Sequence, residues 1–261
     1  MGKPRHKGGQ VDRYSQTKGE RRGDYRDRMS HRAKVEHDQS RPRDVSALSI
    51  RKPIEYLTEN QRILGSCIRA NDATFATGPA GTGKTHVAIA ERLPRLIEDR
   101  KHRFILTNPA HEIGEKLGTL PGDKDEKIAV QMRPMRDILH KLIGASHLEN
   151  LMENERILFE PLGSILGTTF DNATIIFDEA QNCTPQQIKA LLTRVGQDSK
   201  IIIAGDPREQ KFIEGVSGME DALKRIGHLR GVGHVAFTAD DIVRSGFVKD
   251  VILAYREGSD D

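Results

Sequence analysis

The sequence predicts an α/β fold, a mainly parallel sheet covered by helices on both faces, and three observations carry that expectation. From Ile54 onward, strand-like runs that are apolar throughout alternate with helix-like segments. That is the pattern of strands buried on both faces. A glycine-rich loop at residues 78–85 joins the first such strand to the first such helix, and the strand Thr174–Phe177 ends in two adjacent carboxylates, Asp178 and Glu179.

The chain opens differently. Residues 1–45 carry 13 Lys and Arg against 7 Asp and Glu, a balance of +6, whereas the remainder balances at −3. Val11, Tyr14, Tyr25, Met29 and Val35 are too sparse there to build a core, so a disordered basic tail is expected over 1–45 and a folded domain over 46–261. An arm that attracts nucleic-acid phosphates and a solvated tail both fit this composition.

Within the domain, Ala73–Thr77 is β-prone and Thr85–Ile97 is apolar at helical spacing. Phe104–Thr107 reads as a strand, Pro134–Leu142 as a helix and Thr174–Phe177 as a buried strand. Then come a helix at Gln186–Val195, a strand at Lys200–Ala204, a helix at Met219–Ile226, a strand at His234–Phe237 and a helix at Phe247–Tyr255. No apolar run approaches the ~18 residues of a membrane span, and no apolar segment follows the N-terminus as in a secretory signal. Cys67 and Cys183 stand alone, so neither a disulfide framework nor a zinc cluster is expected, and a reducing, cytoplasmic setting fits.

The loop reads Gly78, Pro79, Ala80, Gly81, Thr82, Gly83, Lys84, Thr85, a match to G-x-x-x-x-G-K-[ST]. Its glycines let successive N–H groups converge on phosphate oxygens, and the following helix adds its partial positive charge. Lys84 is placed to reach the β- and γ-phosphates, and Thr85 to ligate Mg²⁺. A dinucleotide fingerprint would need glycine at position 86, where His86 stands, and His111-Glu112 lacks the second histidine of a zinc protease.

Asp178 fits the acid that holds Mg²⁺ opposite Thr85, and Glu179 the general base for an attacking water. Consecutive strand residues face opposite ways, so two adjacent acids can serve two positions. Beyond the strand Ile201–Ala204, Gly205-Asp206-Pro207 leads to Glu209 and Gln210, a loop able to sense a γ-phosphate through either of those two residues. Gln181 and Gln210 are candidate nucleotide contacts.

Assembled, these motifs resemble the PhoH family of P-loop ATPases, which look like the first motor domain of superfamily 1 helicases. The resemblance runs from about Thr58 to Tyr255. Its most specific stretch is Thr107-Asn108-Pro109-Ala110, then Gly114 to Gly118 and Leu120 to Asp123. Asp178 to Asn182, Thr193-Arg194, Gly196, Asp241 to Arg244 and Ala254-Tyr255 follow. It implies a three-layer, RecA-like P-loop NTPase fold, with ATP as nucleotide and Gln61 at the adenine edge. The chain departs at Asn108, Leu166 and Thr168, where the family carries Arg, and at Glu209, where the helicase-type Gly-Asp-x-x-Gln would put Gln. These departures bear on contacts to phosphates or to a neighbouring subunit, because Leu and Thr offer no bidentate cationic fork.

The family implies ATP hydrolysis tied to RNA. A helicase-like ATPase acting on RNA or single-stranded nucleic acid is therefore the leading expectation. The alternative is a nucleotide-gated oligomeric switch without motor activity. Only 55 residues follow Asp206, too few for a second motor domain to lend an arginine to the γ-phosphate. The arginine then comes from the same domain or a neighbouring copy. A homo-oligomer, a hexameric ring with Arg244 (or Arg194) at the boundary between subunits, is expected, and no membrane partner.

Overall fold

A computed structural model of the chain describes Gly2 and residues 50–51, 53–109, 124–209 and 215–257. Beyond Gly2, all of these belong to one compact unit, Leu48–Asp261. The tail expected over 1–45, Gly2 apart, lies outside the described residues, as do Ala110 and Gln210.

Among the described residues six strands form one sheet: β1 (Ala73–Thr77), β2 (Arg103–Thr107), β3 (Ile157–Phe159), β4 (Ala173–Phe177), β5 (Lys200–Gly205) and β6 (Val232–Ala236). Their order is β3-β2-β4-β5-β1-β6, and every neighbouring pair runs parallel. The helices are α1 (Glu59–Ala70), α2 (Lys84–Glu98), α3 (Lys124–Ile143), α4 (Ala145–Glu153), α5 (Leu162–Ile165), α6 (Pro185–Leu192), α7 (Gly218–Ile226) and α8 (Gly246–Glu257).

Two-residue alternation along the strands builds two cores. Ala76, Leu106, Ile176 and Ile202 pack under Leu64 of α1, Val87 and Leu93 of α2, Leu139 of α3 and Leu148 of α4. Their neighbours Phe75, Ile105, Ile175 and Ile203 face the other way, against Leu162 of α5, Ile188 and Leu191 of α6, and Met219 of α7. The result is the expected three-layer α/β fold. Thr77 pairs with Gly205 and Phe177 with Ile203, so the loops after β1, β4 and β5 emerge together at the carboxyl edge of the sheet. Open α/β sheets bind their ligands at that edge.

Two of the expected helices differ in extent. The helix expected from Pro134 is the second half of α3, which runs through that proline. Met132, Met135, Leu139 and Leu142 are buried at helical spacing on both sides of it, and this packing holds the helix continuous. The helix expected to reach Val195 starts with a Thr184–Gln187 capping box and Pro185 in its first turn. It stops at Leu192, because Val195 forms a parallel bridge with Phe170. Among the described residues no helix is long and apolar enough to cross a membrane.

Candidate functional site

The site begins where β1 passes into the loop at Gly78. There φ is +127°, and a Cβ would run into the Phe237 carbonyl, so only glycine fits. Three parts of the fold pin the loop. The Gly78 N–H donates to the Gly205 carbonyl at the end of β5 (3.1 Å), and the Val243 N–H donates to Gly81 O (3.0 Å). From α1, Gln61 Nε2 donates to Thr82 O (2.9 Å), while its Oε1 accepts the Leu57 N–H (2.7 Å). Within the loop, Thr82 Oγ1 donates to Pro79 O (3.0 Å).

The helix α2 then opens at Lys84, behind a left-handed Gly83, with no side chain capping its first turn. Its leading N–H groups are left to an anion. Lys84 is only 8% exposed, and its Nζ donates to Gly78 O (2.6 Å) and Pro79 O (2.7 Å). Burial lowers the pKa of this ammonium, and the carboxylates of Asp178 and Asp206 oppose that effect. A cation held by loop carbonyls at this depth is a strong attractor for phosphate oxygens.

Although β5 lies between β1 and β4 in the sheet, the two loops meet. Thr85 Oγ1 donates to Asp178 Oδ2 at 2.7 Å. Burial raises the Asp178 pKa and the Glu179 charge adds to the rise, while the Thr85 hydroxyl pulls it down. Glu179 follows in the left-handed region (φ 57°), its N–H donating to Asp178 Oδ1 (3.0 Å). That turn splits the two acids. Asp178 faces Thr85, and the Glu179 carboxylate is exposed and takes a hydrogen bond from Gln181 Nε2 (2.7 Å).

A cavity of about 430 Å³ opens over these groups, within the range of small-ligand sites. Ala80, Gly81, Gly83, Lys84 and Thr85 line it from the loop, with Asp178, Glu179 and Gln181 opposite and Arg244 at the rim. Arg244 is exposed and lies against the loop of its own chain: a Cβ built on Gly81 would stand 2.8 Å from its Cγ. Gly78, Pro79, Thr82 and Gln61 do not line the cavity and shape the loop from behind. Gln61 is 3% exposed, and both ends of its amide are engaged by the protein. Arg194 does not line the cavity either.

Sequence reasoning passed over His86, Pro134, Ile138 and Val243, which also line the cavity. It also passed over a clamp three residues before Arg244: Asp241 Oδ2 accepts from Asn60 Nδ2 (2.8 Å) and from the Thr238 N–H (2.8 Å). The Thr238-x-x-Asp241 capping pattern was the readable signal for that clamp.

Among the described residues no group of three His, Cys, Asp or Glu could hold a metal by itself. The donor set at Thr85 and Asp178 is one hydroxyl and one carboxylate. These hard oxygens suit Mg²⁺, which takes one or two protein ligands and completes its shell with phosphates and water.

The parallel sheet, the phosphate loop at its carboxyl edge and the acidic strand end define a P-loop NTPase domain. The family described as "PhoH-like protein" matches residues 53–256, and the chain belongs to that family. It is similar to the PhoH-like protein of Bacillus subtilis (strain 168), at 42% identity over 205 residues, 78% of this chain and 64% of that protein. The PhoH-like protein of Synechocystis sp. is 40% identical over 204 residues, 76% of this chain and 61% of that one. Protein PhoH of Escherichia coli (strain K12) is 38% identical over 206 residues, 78% and 58%. The chain thus spans about three fifths of the length of these relatives. Among solved structures, the UvsW helicase from bacteriophage T4 shows a TM-score of 0.46 at 14% identity, over 74% of this chain and 64% of that one.

Proposed function

We propose that the chain binds ATP with Mg²⁺ and hydrolyses it, coupled to RNA or single-stranded nucleic acid. The observation that carries the reading is the 2.7 Å contact of Thr85 with Asp178, made beside Glu179 and over Lys84 in one cavity. In this mechanism Lys84 leaves the Gly78 and Pro79 carbonyls for the β- and γ-phosphates, and the loop N–H groups hold the remaining oxygens. Thr85 and Asp178 would be the protein ligands of Mg²⁺, which would supply neutralisation of the phosphate charge. Glu179 takes the proton of the attacking water as its oxygen bonds to the γ-phosphorus and the bond to the ADP oxygen breaks.

Arg244 is proposed to stabilise the charge on the transferred group from within its own chain; its place against Gly81 favours the same-domain option. Gln61 is proposed to hold the loop in shape, since contact with adenine would require its amide to leave Thr82 and Leu57. ATP as the nucleotide rests on the family.

Nucleic-acid coupling is supported by α3, whose Pro134 and Ile138 line the cavity while Arg133, Arg136, His140 and Lys141 are exposed. Such a face offers phosphate contacts beside the nucleotide. The basic tail adds to the same attraction. Homo-oligomerisation, as a hexameric ring, is supported by the exposed Phe247, Val251 and Tyr255, one stripe along α8. A cytoplasmic setting is supported by two unbridged thiols, Cys67 and Cys183.

The test is ATP turnover with and without RNA or single-stranded DNA, for the wild type and Glu179→Gln. Stimulation by nucleic acid, with turnover lost in Glu179→Gln, supports the reading. Turnover indifferent to nucleic acid would leave the nucleotide-gated switch, and absence of turnover in the wild type would overturn hydrolysis.

A further inference from the structure

The Gln181 side chain, 2% exposed, bridges two loops of the site. Its Nε2 donates to Glu179 Oε2 (2.7 Å), and its Oε1 accepts the main-chain N–H of Asp206 (3.1 Å), the first residue after β5. The chemistry at the two ends fixes which way the amide points. An N–H can be met only by the oxygen and a carboxylate only by the NH₂, so a flipped amide would face repulsion at both ends. The end of β5 is shaped to this side chain, since a Cβ on Gly205 would run into Gln181 Oε1. Arg208 N–H in turn donates to Asp206 Oδ1 (3.1 Å), so the loop after β5 is itself tied to Asp206.

We infer that Gln181 is a positioning residue that ties the carboxylate of Glu179 to the loop after β5, so that a displacement of Asp206 turns the general base. The inference rests on the hydrolytic reading above and extends it. Glu179 is exposed on a left-handed turn, and among the described residues Gln181 is the side chain hydrogen-bonded to its carboxylate. Glutamine suits both ends of the bridge. Glutamate at 181 keeps the acceptor for Asp206 and turns a like charge on Glu179, whereas methionine keeps the volume and makes neither bond.

The test is a double-mutant cycle. Gln181→Met and Gln181→Glu are each made in the wild type and in Glu179→Gln, and ATP affinity and single-turnover phosphate release are measured on the full chain. Because a general base contributes 10²–10⁴-fold, misdirecting it is expected to cut kcat about tenfold in Gln181→Met and more in Gln181→Glu. An unchanged cooperative melting transition for each variant reports an intact fold, and ATP affinity separates binding from the chemical step. In Glu179→Gln the same substitutions change the residual rate by less than about twofold, because the group they orient is gone. Equal losses in both backgrounds, or unchanged kcat in both variants, would overturn the relay. Wild-type turnover in Glu179→Gln itself would instead remove Glu179 as the base, and the proposed function would fall first.

Discussion

Gln61 offers a sharp test of how the phosphate loop is held. Replacing it with leucine removes the donor to Thr82 O and the acceptor for the Leu57 N–H while roughly keeping the volume. Thr82 is fully buried, so its carbonyl would be left without that partner where water does not reach; Leu57 is exposed, and water can replace the lost acceptor there. An orphaned buried acceptor costs about 1–3 kcal/mol, so a loss of about 2 kcal/mol is expected in the geometry that receives phosphates. That corresponds to nucleotide affinity about 30-fold weaker. Calorimetric titration with ATP and with GTP, both with Mg²⁺, reads the effect. Since the amide acts on the loop, both nucleotides should weaken by the same factor. A loss confined to ATP would show that Gln61 reads the base, and the loop-holding role would be wrong.

Other expectations follow from the same geometry. Asp178 has its pKa raised by burial, so carrying its charge at neutral pH costs the fold stability. Asp178→Asn should raise the melting temperature by about 2–4 °C, on roughly 1 kcal/mol, while abolishing Mg²⁺-dependent turnover; a lower melting temperature would contradict this. His102 is fully buried between Asn172 and Thr174, and burial lowers its pKa; burial lowers those of His86 and His234 too. The unfolded chain then binds protons more readily than the fold. The unfolding free energy should be full above the usual histidine range and fall as pH drops below about 6.5. Urea titrations at pH 7.5 and 5.5 check this, and equal stability at both would refute it. Arg244→Ala should cut turnover about 30-fold or more with ATP affinity little changed, the upper limit being the 10³–10⁵-fold that an arginine at the transferred phosphate supplies. On the proposed same-chain role, mixing that variant with Lys84→Ala should restore no activity; restoration would place the arginine across a subunit boundary.

The strands were legible because parallel strands buried on both faces read as near-continuous apolar runs, and β1, β4 and β5 are buried almost throughout, with Thr74, Thr77, Thr174 and Lys200 the polar exceptions. The loop was legible because its chemistry demands fixed residues at fixed spacing. The short β3 (Ile-Leu-Phe) and the helices α1, α4 and α5 passed unnoticed: three residues carry no period, and α4 is a nine-residue helix set off only by Gly144 and Asn154. In the site, residue types were readable and their hydrogen-bond partners were not. Gln61 precedes the loop by some twenty residues, as a base-reading glutamine would, and only the fold shows its amide turned to Thr82 and Leu57. Arg244 is likewise readable as a residue type, and only the fold shows its side chain lying against Gly81 of its own chain. Gln181 meets Asp206 across 25 positions, a pairing that depends on β4 and β5 being neighbours in the sheet.

The claim on which the rest depends is that Lys84 and the main chain around it receive the triphosphate. Equilibrium titration of Mg²⁺·ATP into the wild type and Lys84→Ala addresses it directly. Saturable binding by the wild type, weakened about 100-fold or more in Lys84→Ala, is the predicted result, in line with ~3 kcal/mol for a buried charged contact to phosphate. Equal affinity in the two proteins would place the nucleotide elsewhere and contradict the account.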